Sequence, residues 1–118
     1  MRIKIEEIRE KILPFVLLEY DDEISFSLSA GNYKDKIFEI RLDEGFNGSG
    51  YDWNALARVF LNEQMPQFID EIKFDSESSM FCTYSKNKGA ILEFAIHFHM
   101  MCENEKLMKE LFSRAELE

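Results

Sequence analysis

The segment Ile24–Ser29 most constrains how this chain folds, because its side chains alternate strictly between apolar residues and serine. In an extended strand, three apolar side chains would face one side and three serines the other. Phe38–Leu42 alternates in the same way, with its apolar residues predicted to face inward. Phe15–Tyr20 has apolar residues at both parities, which is typical of a strand buried on both faces. Three strands with short connections predict an antiparallel meander.

Helical periodicity dominates the middle and the end of the chain. Trp53, Leu56, Ala57, Phe60 and Leu61 follow one another at i, i+3, i+4, i+7 and i+8, which predicts an amphipathic helix. We expect this helix to begin at Asp52 as its N-cap, after a glycine-containing loop, and to stop at Met65-Pro66. Two further helices are predicted, one starting at Asn87 or Gly89 and a closing one capped by Asn104, with a 72–74/80–84 hairpin between the first helix and this pair.

The order of these elements predicts an α+β fold. Strands and helices segregate along the chain instead of alternating, which argues against parallel βαβ units. We therefore predict a mostly antiparallel sheet of about five strands with helices packed on one face. The 118 residues suit a single domain spanning 1–118. Residues 1–13 form an N-terminal extension in which Ile3, Ile5, Ile8 and Ile12 fit a short helix, or a strand turning into one.

Charge narrows the classes of partner. The chain has 14 basic and 23 acidic residues, and its formal net charge is −9. Nucleic acids and anionic membranes require basic surfaces, so we expect neither as a partner. An acidic surface favours a basic partner. The two cysteines form no CxxC pair, and we find no leader peptide or membrane span, so we expect unbridged thiols in a cytoplasmic protein.

No motif in the sequence matches a known catalytic or metal-binding pattern. The glycine-rich segment Gly45–Gly50 lacks the Lys-Ser/Thr of a phosphate-binding loop, because Tyr51 follows it. A calcium loop would need glutamate where Asn54 stands. His97 and His99 lie two residues apart on a predicted helix, about 200° around its axis, so they cannot chelate one ion from one face. We therefore expect no catalytic residue, no metal site and no cofactor, and hence no enzyme.

One stretch of the chain carries a residue pattern that is more informative than the overall composition. It runs Gly48-Ser49-Gly50-Tyr51-Asp52-Trp53 into the helical stripe, then Ile72-Lys73-Phe74-Asp75, then Met80-Phe81-Cys82-Thr83-Tyr84-Ser85. This pattern resembles immunity protein family 51 of bacterial polymorphic toxin systems, over roughly residues 14 to 112. Ser49 departs from the asparagine expected there. The resemblance implies a protein that binds a cognate toxin domain, made by the same cell or its kin, and neutralises it by occlusion without catalysis.

The resemblance supplies no contact residues, so we infer candidates from the sequence itself. Gly48, Gly50, Asp52 and Trp53 are expected to build the corner between the loop and the helix, with Trp53 on the buried stripe. Tyr51 is expected in the loop, either in the core or as an interface anchor rimmed by Asp43, Glu44 and Asp52. The turn Asp21-Asp22-Glu23 would add charge that steers a basic toxin, such as a nuclease.

Two other function classes remain open on the sequence alone. The chain could be a small enzyme or a ligand-binding domain with a pocket beneath the Gly45–Tyr51 loop. It could also be an adaptor module that dimerises through its last helix. The residues do not distinguish a monomer from a homodimer.

Overall fold

A four-stranded antiparallel sheet organises the fold in the computed structural model, which describes residues 5–118. The elements in chain order are α1 Ile5–Lys11, β1 Val16–Glu19, β2 Ile24–Ser29, α2 Asp35–Glu39, a 3₁₀ turn Leu42–Glu44, α3 Gly50–Gln64, a 3₁₀ turn Pro66–Phe68, β3 Lys73–Phe74, β4 Met80–Ser85, α4 Lys88–Glu103 and α5 Glu105–Phe112. The predicted α+β class is confirmed, with four strands in the described residues where we predicted about five. The Ile3 end of the predicted first helix lies outside the described residues.

The strand order is β1-β2-β4-β3, and every neighbouring pair is antiparallel. Phe26 lies opposite Leu17 on one side and Thr83 on the other. Because side chains alternate between the two faces, this register sends the apolar residues of β2 to one face and its serines to the other. The alternation predicted for Ile24–Ser29 is therefore confirmed.

The helices α3 and α4 cover the apolar face of the sheet. Phe26 of β2 packs edge-on against Phe94 of α4, with ring centroids 5.6 Å apart. Phe81 of β4 stacks on Phe98 of α4 at the same centroid distance of 5.6 Å. Trp53 of α3 is fully buried beside them. The prediction of helices on one face of the sheet is confirmed.

The prediction of a strand at Phe38–Leu42 is wrong. The segment contains the end of α2 and the start of the following 3₁₀ turn, and β4 takes the place beside β2. Phe38 is buried against Trp53 and Phe112, with ring centroids 5.0 Å away in both cases, whereas Ile40 and Leu42 are exposed. The segment therefore lacks the single apolar face that its alternation suggested, because only one of its three apolar side chains reaches the core.

Strand β1 is buried on one face, not on both as predicted. Leu17 is buried, whereas Val16 and Leu18 are each 45% exposed. The strand lies at the edge of the sheet, and the Arg9 side chain of α1 donates from Nε to the Leu17 carbonyl oxygen at 3.0 Å. This bond occupies a carbonyl that would otherwise be free to pair with another strand.

The remaining helix and hairpin predictions are confirmed. Asn87 caps α4 by accepting from the Ala90 amide at 3.1 Å, and Asn104 caps α5 by accepting from the Leu107 amide at 3.2 Å. The hairpin predicted at 72–74 and 80–84 corresponds to β3 and β4.

Candidate functional site

The corner between the glycine-rich loop and α3 is held by Asp52, but not in the way the sequence suggested. Ser49 is the N-cap, and its Oγ accepts from the Asp52 amide at 3.3 Å. Asp52 lies one turn further on and is buried, so the predicted N-cap at Asp52 is wrong. Its Oδ2 accepts from the amides of Asn47 at 2.7 Å and Gly48 at 2.9 Å. The carboxylate therefore shapes the loop and does not contribute to an exposed acidic rim.

Gly50 brings the start of α3 against the turn of the β3–β4 hairpin. Its amide donates to the Ser78 carbonyl oxygen at 2.9 Å. A β-carbon at this position would lie 2.0 Å from the Glu77 carbonyl oxygen and 2.4 Å from that of Met80. Only glycine permits this approach, because both contacts are with backbone atoms that cannot rotate away.

The space beneath the glycine-rich loop is filled by side chains. Phe46 and Trp53 are fully buried there, and their packing includes Phe112 and Phe38 respectively. A shallow cleft of about 230 Å³ lies beside the loop, between Gly48 and Gly31. These observations give no support to an enzyme or ligand-binding domain built around this loop.

Tyr51 lies in the first turn of α3 and not in the loop where we expected it. It is 45% exposed. Trp53, two residues further on, is buried against the sheet side of the helix. Two residues correspond to about 200° around a helix axis, so Tyr51 faces away from the sheet.

The two acidic residues predicted beside Tyr51, Glu44 and Asp43, lie in different environments. Glu44 makes a bidentate ion pair with Arg41, whose Nη2 and Nε lie 2.8 Å and 3.0 Å from the Glu44 carboxylate oxygens. Hydrogen bonding from Arg41 lowers the pKa of the Glu44 carboxyl. Arg41 also donates to the carbonyl oxygens of Phe112 and Ala115, so this pair ties the 3₁₀ turn to the end of α5. Asp43 is exposed.

The acidic turn Asp21-Asp22-Glu23 lies at the other end of the sheet from Gly50. Ile24, next to this turn, pairs with Ser85, whereas Ser29 pairs with Met80 beside the hairpin turn that Gly50 contacts. Five residue steps of β2 separate the two ends, which corresponds to roughly 17 Å. The structure therefore does not bring the predicted contact residues together on one small patch.

The outer face of the sheet is the feature that the sequence analysis missed. We call it the open face and define it as Val16, Leu18, Tyr20, Ser25, Ser27, Met80, Cys82 and Tyr84. Four of its large side chains are exposed: Val16 and Leu18 at 45%, Tyr20 at 55% and Met80 at 42%. The signal in the sequence was the mixed parity of Phe15–Tyr20, which places apolar side chains on the serine face of the sheet.

Several titratable groups outside these surfaces have structural partners. His99 Nε2 lies 3.2 Å from the Leu13 carbonyl oxygen. The Tyr33 hydroxyl donates to Glu103, and Lys34 Nζ lies 3.7 Å from the same carboxylate. The bond from Tyr33 lowers the pKa of Glu103, while burial, followed by this bond, raises the pKa of the Tyr33 phenol. Among residues 5–118, no cluster of three histidine, cysteine or acidic side chains could hold a metal ion.

Both cysteines are free thiols in different environments. Cys82 lies half-buried on the open face, and Cys102 is fully buried in α4. Burial raises the pKa of both thiols, and the carboxylates of Asp75 and Glu77 raise that of Cys82 further.

The fold and its surfaces define a small α+β domain with a filled core and exposed apolar and acidic surfaces, which is typical of a protein-binding module. No helix in the described residues is both long and apolar enough to span a bilayer. The family model for Immunity protein 51 matches residues 15–117, so the chain belongs to this family of immunity proteins. Neither a curated protein nor a solved structure matches the chain.

Proposed function

We propose that this protein binds a toxin domain of a bacterial polymorphic toxin system and neutralises it by covering its active site. The family match over residues 15–117 carries this proposal. Membership in a family of immunity proteins implies a protein partner and suggests a non-enzymatic role. An inhibitor that acts by occlusion needs a rigid surface and no chemistry of its own. The protein would act in the cytoplasm and protect the cell from a toxin that the same cell or its kin makes.

The toxin is proposed to be basic. A formal net charge of −9 attracts a positively charged surface and accelerates its diffusional encounter. Toxins that cleave nucleic acids bind phosphates with lysine and arginine, so a nuclease is the class of toxin that best fits an acidic inhibitor. The same charge disfavours nucleic acid and anionic membrane as partners of the immunity protein itself.

The proposed contact residues belong to two separate surfaces. The turn Asp21–Glu23 lies at one end of the open face. Tyr51 is exposed on the side of α3 that faces away from the sheet, and Asp43 is exposed in the 3₁₀ turn beside Arg41, which binds the end of α5. Tyr51 therefore remains a candidate anchor on a surface distinct from the open face, and variants of the two surfaces distinguish them.

The adaptor alternative has less support from the packing. The broad apolar helix of this alternative is α4, whose first stripe, with Ile91, Phe94 and Phe98, is buried inside the chain's own core. In its second stripe Leu92 and Ile96 pack partly against the same core, and Met100 is exposed. A dimer interface through this helix would need more of these side chains at the surface.

The proposal is tested with the C-terminal domain encoded by the large open reading frame next to this gene. Expression of that domain alone should stop growth, and co-expression of this protein should restore growth and yield a co-purified complex. Titration in vitro separates occlusion from catalysis. Occlusion requires about one immunity protein for each toxin molecule, whereas an enzyme that modified the toxin would inactivate it at far lower ratios. Failure to bind the toxin domain, or complete inhibition at such low ratios, would contradict the proposal.

A further inference from the structure

We propose that the open face of the sheet is the toxin-binding surface and that the toxin presents lysine and arginine side chains to it. This inference rests on the proposed function and adds the surface and the chemistry of the contact. It starts from the shape of the face. Ser25 lies between Leu18 and Tyr84, and Ser27 lies between Val16 and Cys82. Both serines are small and less than 10% exposed, so they form the floor of a furrow along β2.

The walls of this furrow are apolar and aromatic. Val16 and Leu18 of β1 form one wall, and Tyr84, Cys82 and Met80 of β4 form the other. Strands two places apart in a sheet are separated by about 10 Å, which is wide enough for a single row of side chains from a partner. Lysine and arginine suit this shape because their aliphatic stems cover apolar surface while their charged ends reach beyond it.

Carboxylates lie where those charged ends would emerge. The turn with Asp21 and Glu23 closes one end of the furrow, and Asp75 lies beside Cys82 across the β3–β4 pair. Glu77 pairs with Met80 at the other end. In the part of the chain that the structure describes, no basic side-chain nitrogen lies within 4 Å of these four carboxylates.

The nearby lysines only partly offset this charge. Lys86 pairs with Asp22 at 3.6 Å with both side chains largely exposed, and Lys73 lies beside Tyr84. Among residues 5–118, Asp21, Glu23, Asp75 and Glu77 therefore leave negative charge without a basic partner along the rim of the furrow, and apolar side chains form its centre. This is the usual arrangement of a protein interface, in which a desolvated centre provides affinity and a charged rim provides steering.

Two other ways of using this sheet fit the structure less well. Addition of a strand to an edge is hindered at β1, where Arg9 occupies the Leu17 carbonyl, and β3 offers an edge of two residues. Association of two copies through the open face would bring together two chains that each carry a net charge of −9. A basic protein surface is the occupant that the charges favour.

The first test compares two substitutions of the same charge. Leu18→Lys places a cation in the furrow, while Met100→Lys adds the same charge on α4, where Met100 is 60% exposed. Both variants change the net charge equally, so a difference between them reports position. Binding of the neighbouring toxin domain is measured by calorimetry, and folding by circular dichroism. We expect Leu18→Lys to weaken binding by about 30-fold or more, and Met100→Lys by less than about threefold.

The second test uses the folded wild-type chain and does not depend on whether a variant folds. Cys82 lies on the open face, whereas Cys102 is fully buried. Of the two thiols, a bulky maleimide at pH about 7.5 should modify only Cys82 and should block binding of the toxin domain. Conversely, bound toxin should protect Cys82 from the reagent. A Cys82→Ser variant treated in the same way controls for unspecific modification.

The outcomes separate the two proposals. If the wild-type chain does not bind the toxin domain, the proposed function fails. If the wild-type chain binds while Leu18→Lys and the Cys82 adduct bind equally well, the open face is not the interface and the further inference fails alone. Loss of binding in Tyr51→Ala with unchanged binding in Leu18→Lys would show that the toxin binds the surface of α3 that carries Tyr51, and would overturn the further inference. Concentration-dependent dimers that Leu18→Lys abolishes would overturn the proposal in favour of self-association.

Discussion

Replacing Gly50 with alanine tests the central contact of the fold, the approach of α3 to the β3–β4 hairpin. The new β-carbon would lie 2.0 Å from the Glu77 carbonyl oxygen and 2.4 Å from that of Met80, well inside van der Waals contact. The helix and the hairpin must therefore separate, which lengthens the bond from the Gly50 amide to the Ser78 carbonyl, now 2.9 Å.

The magnitude follows from these two effects. Forcing extra atoms into a packed site costs about 1–3 kcal/mol, and losing a backbone hydrogen bond costs about 1 kcal/mol. Alanine recovers up to about 1 kcal/mol through its higher helix propensity. The three terms sum to a net loss of about 1–4 kcal/mol, a substantial part of a typical domain stability of about 5–15 kcal/mol. For a domain of this size the melting temperature should fall by roughly 10 °C.

Gly89→Ala is the matched control because Gly89 lies in the first turn of α4 in open surroundings. A β-carbon at this position would lie 3.6 Å from Asn87 Oδ1, which is an ordinary van der Waals contact. This variant should be as stable as the wild type or gain up to about 1 kcal/mol. Urea unfolding followed by the fluorescence of Trp53, the single tryptophan, measures both variants. Equal stability of the two variants would refute the argument from backbone distances.

Three further predictions concern polar groups. Asp52→Ala should cost about 2–3 kcal/mol in urea unfolding, because two loop amides lose their acceptor, and Asp52→Asn should recover part of the loss. The pKa of Glu103 is lowered in the folded state, so its contribution is present above its unfolded pKa of about 4.3 and is lost as the pH falls. The stability difference between Tyr33→Phe and the wild type should therefore narrow below pH about 4. A thiol reagent should titrate Cys82 alone in the native protein and Cys102 as well in urea, and rapid native modification of both would contradict the described burial.

The parts of the fold that the sequence predicted are those in which local pattern and tertiary packing agree. The stripe from Trp53 to Leu61 is both a good helix and a good cover for the sheet, so its periodicity was sufficient. The caps Asn87 and Asn104 act through their own backbone neighbours and need no distant contact. The strand predicted at Phe38–Leu42 was wrong because the alternation there does not correspond to one buried face. The position of this segment in the fold depends on Arg41, which binds the end of α5, far away in sequence.

The candidate surfaces were harder to predict for a geometric reason. A helix that begins at Gly50 and not after Asp52 turns Tyr51 out of the loop and onto the far side of α3. From the sequence we expected the carboxylate of Asp52 on an exposed rim around Tyr51. In the structure this carboxylate is buried and accepts hydrogen bonds from two loop amides. The open face could not be recognised locally, because it depends on which strands become neighbours, and β4 joins β2 from across half the chain.

The serines of β2 separate the two apolar walls of the open face. Large apolar residues at Ser25 and Ser27 would join the two walls into one continuous apolar patch, the kind of surface that associates unspecifically. Small hydroxyl side chains keep the walls apart and give the floor hydrogen-bonding capacity towards lysine and arginine. The acidic rim adds a second requirement, since it repels acidic partners and other copies of the same chain. The alternation that organises the fold on one face of β2 thus places serines on the other face, the surface that we propose binds the toxin.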